Sequence, residues 1–351
     1  MIDRIIVGPP RVQTAEVDDQ VISEPVGVPL YALFDLLSNT SAAYDLFRRS
    51  GFNDALRDLL NYWGTYLADE NRDSNSSLTD KEDGWFSERA LQMLESENRG
   101  VFNNTYVCPD PSAVNRGFTT FDAFFTREFQ AGVRPVDAPE NRTLIHNACE
   151  STVYRIARGV QLHDRFWLKG QSYSLYDMLN RDDEYADKFI NGTVYQAFLS
   201  PLDYHRWHAP VDGQIVRAYV VPGTYYAALP DAGAEADDPD LKSGDPRGAL
   251  IRSQGFLNVV ATRALIFIMA DNQDIGLMCF IGVGMAEVSS CDITVSEGQV
   301  VKTGEELGMF HFGGSSHSMI FGPQAAITFA DIVEVDQHLL VNSIIAQVQG
   351  H

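Results

Sequence analysis

The strongest constraint on the fold is a change in hydrophobic pattern near residue 143. Beyond it, apolar residues come in short runs rich in β-branched and aromatic side chains, separated by Gly, Asp and Pro, which is typical of strands. Two similar strand–turn–strand units, at 211–223 and 295–304, further predict a barrel-like antiparallel sandwich. Strands are predicted at 152–156, 194–199, 214–221, 258–269, 277–283 and 299–301, with one helical piece at 175–179.

The pattern before this point is helical. After Asn53, a predicted cap, apolar side chains recur at spacings of three and four, and Ser87 predicts the start of a further helix. Residues 119–122 resemble a capping box that opens a helix with a stripe of phenylalanines. The sequence therefore predicts an α+β protein in which a helical region, 1–117, with an extended arm at 1–28, packs on a mainly antiparallel β domain, 118–351.

Charge and composition exclude several classes of protein. A net charge of -22 argues against nucleic acid or an anionic membrane surface as the main partner, because phosphate contacts need clustered Lys and Arg. Four cysteines without a C-x-x-C pair indicate neither a disulfide framework nor a zinc ribbon. No apolar run approaches the roughly 20 residues of a membrane span, and the first residues do not resemble a signal peptide. We expect a soluble, cytoplasmic protein.

One candidate site is the sequence Gly-Gly-Ser-Ser at 313–316, which lies between two strand-like apolar runs. We expect a sharp turn that displays Ser315 between two rigid elements. A glycine before a serine leaves the preceding carbonyl open, so Ser315 can attack the carbonyl of Gly314. The alternative is an ordinary Gly-Gly-Ser-Ser turn that closes a hairpin.

A second candidate site is residues 203–213, which contain His205 and His208. Histidine titrates near neutral pH, so this pair can hold and move protons, and Pro210 argues for a loop or a strand end. Structural, partly buried histidines are the alternative. A zinc site needs at least a third ligand, and the other histidines show no diagnostic spacing, so no metal is predicted.

Together these motifs resemble the phosphatidylserine decarboxylase family. The resemblance runs in order through 118–127 with 133–135, then 169–175, then 203–213, and ends at 304–310 and 313–316, which looks like the family's L/G-G-S-T/S processing site. It covers about residues 118–325 and implies the family's fold for the catalytic domain. Residues 29–110 look like the extra region of a soluble branch, which includes fungal tryptophan decarboxylases and acts on free amino acids.

The resemblance implies a self-made pyruvoyl cofactor. Ser315 attacks the Gly314 carbonyl, the resulting ester is eliminated, and the dehydroalanine left at position 315 hydrolyses to a pyruvoyl group and ammonia. The products, 1–314 and 315–351, are expected to remain associated, and a homodimer is compatible with this expectation. The ketone forms a Schiff base with the substrate's amine and accepts the electrons left by departing carbon dioxide. By motif position, His208 activates Ser315 for cleavage and His205 lies near the substrate.

The sequence departs from the family at the motif Pro-Ala-Asp, whose aspartate orients the histidine. Here Cys149 occupies the aspartate position and Glu150 follows it. We expect Glu150 to supply the carboxylate, because a carboxylate fixes the tautomer of an imidazole. The alternatives are Asp203, Asp212, slow processing, or Cys149 acting as a nucleophile.

The predicted function is a soluble pyruvoyl-dependent L-amino-acid decarboxylase that prefers aromatic substrates, with no metal and no nucleic-acid partner. Two alternatives remain: a decarboxylase of phosphatidylserine itself, which makes phosphatidylethanolamine, and a binding protein that keeps the fold but does not process itself. A serine hydrolase is disfavoured because residues 313–317 lack the second glycine of a nucleophile elbow.

Overall fold

The structure is a computed structural model that describes residues 8–12, 15–17, 20–22, 28–163, 173–236, 238, 241–286, 290–312 and 314–349. Most of the predicted arm at 1–28, residues 169–172 of the family motif, Trp167 and Gly313 lie outside the described residues.

The helices are concentrated in the first third of the chain, as predicted. Ser87 caps its helix by accepting a hydrogen bond from the Ala90 amide. Asn53 is not a cap, because the longest helix already begins at Ser50 and the Asn53 side chain bonds the Phe47 carbonyl instead. The helices are α1 (Pro29–Ser38), α2 (Ser41–Phe47), α3 (Ser50–Leu67), α4 (Glu88–Leu94), α5 (Phe102–Thr105), α6 (Phe121–Phe125), α7 (Leu175–Met178), α8 (Asp183–Ala186), α9 (Ala249–Arg252) and α10 (Gln254–Val260).

The strands follow mainly from residue 144 onward. The predicted strand at 258–269 is wrong in its first part, because 258–260 end helix α10 and the strand begins only at Arg263. The strands are β1 (Ala15–Val17), β2 (Gln20–Ile22), β3 (Leu144–His146), β4 (Ser151–Arg158), β5 (Thr193–Leu199), β6 (Arg206–His208), β7 (Gly213–Val221), β8 (Arg263–Ala270), β9 (Leu277–Met285), β10 (Cys291–Ile293), β11 (Val300–Val301), β12 (Glu306–Phe310), β13 (Gly314–Phe321), β14 (Ile327–Phe329), β15 (His338–Leu339) and β16 (Ile344–Val348).

An eight-stranded antiparallel sheet forms the centre of the fold, in the order β11-β7-β8-β9-β13-β5-β4-β15. Two three-stranded sheets, β10-β12-β6 and β14-β16-β3, lie beside it. This arrangement confirms the α+β class with antiparallel sheets. The expected barrel does not close, since β11 and β15 are unpaired edges within the described strands. The two similar units of the sequence meet at one edge, where Val300 pairs with Gln214.

Both faces of the central sheet are buried by apolar side chains. A third apolar cluster joins the N-terminal helices to the chain before β13, through Trp63 of α3, Phe121 and Phe125 of α6, and Phe312. The phenylalanines of α6 therefore belong to the core, as predicted. The cap of α6 is Thr120, one residue later than the capping box predicts, and its side chain accepts the Ala123 amide. The carboxylate of Asp122 bonds His311. None of the described helices has the length and apolarity required to cross a membrane.

Candidate active site

Ser315 is the second residue of β13, at the centre of the large sheet. It pairs with Leu199 of β5 on one side and with Gly284 of β9 on the other. This position differs from the exposed turn predicted from the sequence: Ser315 is 1% exposed. The hairpin alternative is also wrong, since β12 and β13 belong to different sheets. The chain instead leaves one sheet at Phe310 and enters another at Gly314.

The hydroxyl of Ser315 is buried without a hydrogen-bond partner among the described residues. An unpaired buried hydroxyl costs free energy, so a folded protein seldom retains one without a functional reason. The hydroxyl of Ser316 is likewise buried without a hydrogen-bond partner among the described residues, whereas that of Ser318 donates to Asn258 Oδ1 at 2.9 Å. The sequence therefore places an uncommitted hydroxyl next to the Gly314 carbonyl, as a nucleophile requires.

A cavity opens beside Ser315, and we call it the Ser315 cavity. Its volume is about 120 Å³, far more than one water needs. Its wall is mainly apolar and comes from distant parts of the chain, because the strand ends next to Ser315 meet helices α1, α9 and α10. The lining residues are Val28, Tyr31, 198–202, Leu250, Ile251, Gln254, Met285, Ala286 and Ser315.

His205 lies close to Phe312, three residues before Ser315. Its ring is fully buried and stacks on Phe125 at 4.0 Å between ring centres, and Phe125 in turn contacts Phe312 at 5.3 Å. The ring nitrogen Nδ1 lies 2.9 Å from the main-chain carbonyl of Asp203. The carbonyl of His205 also accepts a hydrogen bond from the amide of Phe310. These contacts hold His205 in one orientation, in the apolar cluster that contains Phe125 and Phe312.

His208 has both ring nitrogens in hydrogen bonds. Nδ1 donates to the Gly304 carbonyl at 2.7 Å, so Nε2 is the acceptor and receives the hydroxyl of Tyr204 at 2.9 Å. Burial lowers the pKa of His208. The ring is therefore neutral at pH 7 and has the tautomer of a base at Nε2. No hydrogen bond joins it to Ser315 in the described part of the chain.

Glu150 does not contact either histidine by hydrogen bond. Its carboxylate forms a bidentate ion pair with Arg134, at 2.7 and 3.0 Å, and also accepts the amide of Val341 at 3.3 Å. The prediction that the Glu150 carboxylate orients a catalytic histidine stays a prediction. In the structure, the side chain that this carboxylate binds is Arg134. Burial raises the pKa of Cys149 well above that of a free thiol, so the thiol is protonated and a poor nucleophile at neutral pH.

Asp203 lies in a buried ionic network with Arg99 and His338, which the sequence analysis did not predict. Its carboxylate accepts Arg99 Nε at 2.7 Å, His338 Nε2 at 3.0 Å and the Ser200 amide at 2.7 Å. Burial opposes ionisation, but Arg99 and His338 outweigh it and bring the pKa of Asp203 to about 2. Asp212, the other alternative carboxylate, is bonded to Lys302 and Thr303. Asp203 thus fixes the segment that runs from the cavity wall to His205.

His317 is a further buried histidine, to which the sequence analysis assigned no role. It shares the face of β13 that carries Ser315, because alternate residues of a strand point the same way. Its Nε2 lies 3.1 Å from the hydroxyl of Ser151, and burial lowers the pKa of His317 to about 3. Among the described residues, no three His, Cys, Asp or Glu side chains converge as metal ligands do.

Comparison with known proteins places this site in a family. The family model described as phosphatidylserine decarboxylase matches residues 121–347, which include Ser315 and both candidate histidines. The chain belongs to the phosphatidylserine decarboxylase family. A second phosphatidylserine decarboxylase model matches residues 1–94, so the helical region is also represented among these decarboxylases.

Three relatives illustrate the range of the family. The chain is 58% identical to "Decarboxylase iboD" of Amanita muscaria, over 99% of both chains. It is 40% identical to the "L-tryptophan decarboxylase" of Psilocybe cubensis, over 84% of this chain and 67% of the relative. It is 30% identical to "Phosphatidylserine decarboxylase proenzyme 3" of Schizosaccharomyces pombe, over 65% of this chain and 20% of the relative. This phosphatidylserine decarboxylase family member is therefore an enzyme, a carboxy-lyase.

Proposed function

We propose that this decarboxylase cleaves itself between Gly314 and Ser315 and uses the resulting pyruvoyl group to decarboxylate a free L-amino acid. The observation that carries the proposal is Ser315 itself, whose buried, unpaired hydroxyl follows a glycine and borders a cavity. The word "proenzyme" in the name of the Schizosaccharomyces pombe relative supports processing.

The residues present fit the pyruvoyl group. The group would replace Ser315 at the cavity wall, where Met285, Ala286 and Leu199 provide an apolar surround for a ketone. When formed, it supplies an electron sink for the bond to the departing carboxylate. Ser315 is buried, and this burial limits the access of bulk water to the position of the group.

The two histidines divide the proton transfers in this proposal. His208 is neutral and has an acceptor lone pair at Nε2, so it has the protonation state of the base that activates Ser315. Its present partner, the Tyr204 hydroxyl, must move or relay the proton. His205, packed on Phe125, serves the substrate reaction. Glu150 supports the site through Arg134, whose Nη2 also donates to the main chain of Arg99.

The substrate we propose is an aromatic amino acid. Two Psilocybe relatives, 40% and 38% identical, are named L-tryptophan decarboxylases. Among the described residues that line the Ser315 cavity, none is charged, and a lipid phosphate would need a cationic partner. We place the enzyme in the cytoplasm, where its four free cysteines remain reduced.

Substitution of Ser315 by alanine tests this function. We expect Ser315→Ala to leave the chain whole on a denaturing gel and to abolish release of carbon dioxide from every amino acid, because the cofactor precursor is gone. Ser316→Ala, which removes the neighbouring hydroxyl, is the matched control and should be cleaved. Turnover by the Ser315→Ala enzyme would contradict the proposal. Phosphatidylserine vesicles, assayed in parallel, would instead support lipid decarboxylation if they alone released carbon dioxide.

A further inference from the structure

Gln254 is a buried polar side chain in the wall of the Ser315 cavity. It is the first residue of α10 and is fully buried. Neither Nε2 nor Oε1 of its amide has a hydrogen-bond partner in the described parts of the chain. A buried amide with two unmade hydrogen bonds destabilises the free protein, and a ligand that supplies both bonds would remove this cost.

Neighbouring amides in the same layer are satisfied. Asn258 donates to the Gln254 carbonyl at 3.1 Å and accepts from Ser318 at 2.9 Å. Gln196 donates to the same carbonyl at 3.1 Å and accepts from the hydroxyl of Tyr173. The main chain at Gln254 is therefore held in place by two donors, while its side-chain amide takes no part in holding the fold. That combination is what a preorganised binding group requires.

The rest of the wall restricts the kind of ligand. Its described lining is apolar apart from Gln254 and the hydroxyls of Tyr31, Ser200 and Ser315. A charged ligand side chain would lose its hydration there without gaining an ion partner. An entirely apolar ligand would bury the amide without satisfying either of its atoms. The cavity therefore suits a neutral group that both donates and accepts a hydrogen bond.

We propose that Gln254 is a specificity-determining residue that recognises a neutral substrate side chain carrying both a donor and an acceptor. A ring hydroxyl and a carboxamide are the simplest such groups: Oε1 accepts their hydrogen and Nε2 donates to their oxygen. This inference rests on the proposed function, because it places the substrate next to Ser315. Among the aromatic substrates proposed above, it favours one that bears a polar group on its ring.

Matched substrate pairs test the inference with the self-cleaved wild-type enzyme. The pairs are L-tyrosine with L-phenylalanine, 5-hydroxy-L-tryptophan with L-tryptophan, and L-glutamine with L-norleucine. We expect kcat/KM to favour the polar member by at least tenfold in every pair that is turned over, because a site built for hydrogen bonds rejects an analogue that lacks them. Equal kcat/KM values, or preference for the apolar members, would overturn the inference.

The variant Gln254→Leu gives an independent measurement. We expect kcat/KM for the polar member to fall about ten- to hundredfold, with a change below about threefold for the apolar member. Ile251→Val alters the same wall without removing an amide, so it should change both members alike. An equal loss for both members in Gln254→Leu would contradict recognition by the amide.

A measurement of self-cleavage distinguishes failure of this inference from failure of the proposed function. Intact mass after denaturation reports whether residues 315–351 have been released, whatever the substrate. If Gln254→Leu fails to fold and remains whole, the wild-type ratios alone decide the inference. A wild-type chain that stays whole and releases no carbon dioxide would overturn the proposed function and, with it, the inference.

Discussion

At the scale of single residues, the site combines uncommitted groups with tightly held ones. Ser315 and Gln254 have no hydrogen-bond partner for their side chains among the described residues, whereas His208 has a partner on each ring nitrogen. The proposed nucleophile and the proposed ligand-binding amide are thus unpaired, whereas the proposed base is held by two hydrogen bonds. This contrast is the physical basis for assigning different roles to neighbouring polar residues.

Separate substitution of the two histidines distinguishes cleavage from turnover. We expect His208→Ala to remain whole, because the neutral base is lost. We expect His205→Ala to be cleaved but to lose about 10²–10⁴ in kcat, the usual contribution of an acid or base. A denaturing gel and a carbon dioxide assay measure the two effects.

His163→Ala is the control for this pair, because His163 is exposed and its ring contacts Tyr176. It should be cleaved and active. If His208→Ala were cleaved at the wild-type rate, the activating role would pass to another group, and Tyr204→Phe would then be the next substitution to examine.

At the scale of secondary-structure elements, the side-chain contact between β15 and the segment after β5 is the least expected feature. His338 of β15 bonds the carboxylate of Asp203, which lies 135 positions earlier in the chain. Burial opposes the charged ring, but the hydrogen bond and charge of Asp203 outweigh it and raise the pKa of His338. A strand of two residues is thereby tied to the segment that carries His205.

This pair predicts a pH-dependent stability. A pKa raised in the folded state means that the stabilisation is complete below about pH 6.5, the unfolded value, and is lost as pH rises through the folded value. Asp203 stays ionised throughout, since its pKa is about 2. Nearby Arg99 opposes the charge on His338 and Glu150 favours it. We expect His338→Gln to lower the free energy of unfolding by about 1.5–3 kcal/mol at pH 6, as for a hydrogen bond between charged groups, and by less at pH 9.

Urea unfolding between pH 6 and pH 9 measures this difference. The Ser315→Ala background keeps every sample as one chain, and His163→Gln provides a histidine control whose effect should not vary in the same way. A His338→Gln deficit that is constant with pH, or that grows toward pH 9, would contradict the ion pair.

Sequence reasoning succeeded where the signal is local. The Ser87 cap, the phenylalanine core and most strands follow from residues that are near one another in the chain. The error at 258–269 arose because one continuous apolar run covers the end of α10 and the start of β8, and periodicity cannot divide such a run. Burial of Ser315 depends on which strands pair with β13, and the Asp203–His338 contact joins distant segments. No spacing in the sequence encodes either.

At the scale of the whole molecule, the segment after the proposed cleavage site contributes strands to the eight-stranded sheet and to the sheet β14-β16-β3. It contributes none to β10-β12-β6 among the described strands. Its β13 lies between β5 and β9, its β15 pairs with β4, and its β16 pairs with β3. Side chains of β13 also enter the apolar clusters on both faces of the large sheet. The two products of cleavage would therefore share one core.

We expect residues 315–351 to stay bound to residues 1–314 after cleavage, because their separation would expose the centre of the sheet. Native mass spectrometry should give the mass of the complete assembly, and denaturing conditions should give two chains. The native spectrum also reports whether the assembly is a homodimer. Recovery of the short chain alone by size-exclusion chromatography without denaturant would contradict a shared core.

The central position of Ser315 has a consequence for when the enzyme becomes active. Its two flanking partners, Leu199 and Gly284, belong to strands that are synthesised before it, and β15 and β16 are synthesised after it. Before these strands pair, the surroundings of Ser315 that the structure shows are absent. If Ser315 is processed as we propose, only molecules in which β5, β9 and β13 have assembled would acquire the cofactor, so maturation would depend on completed folding.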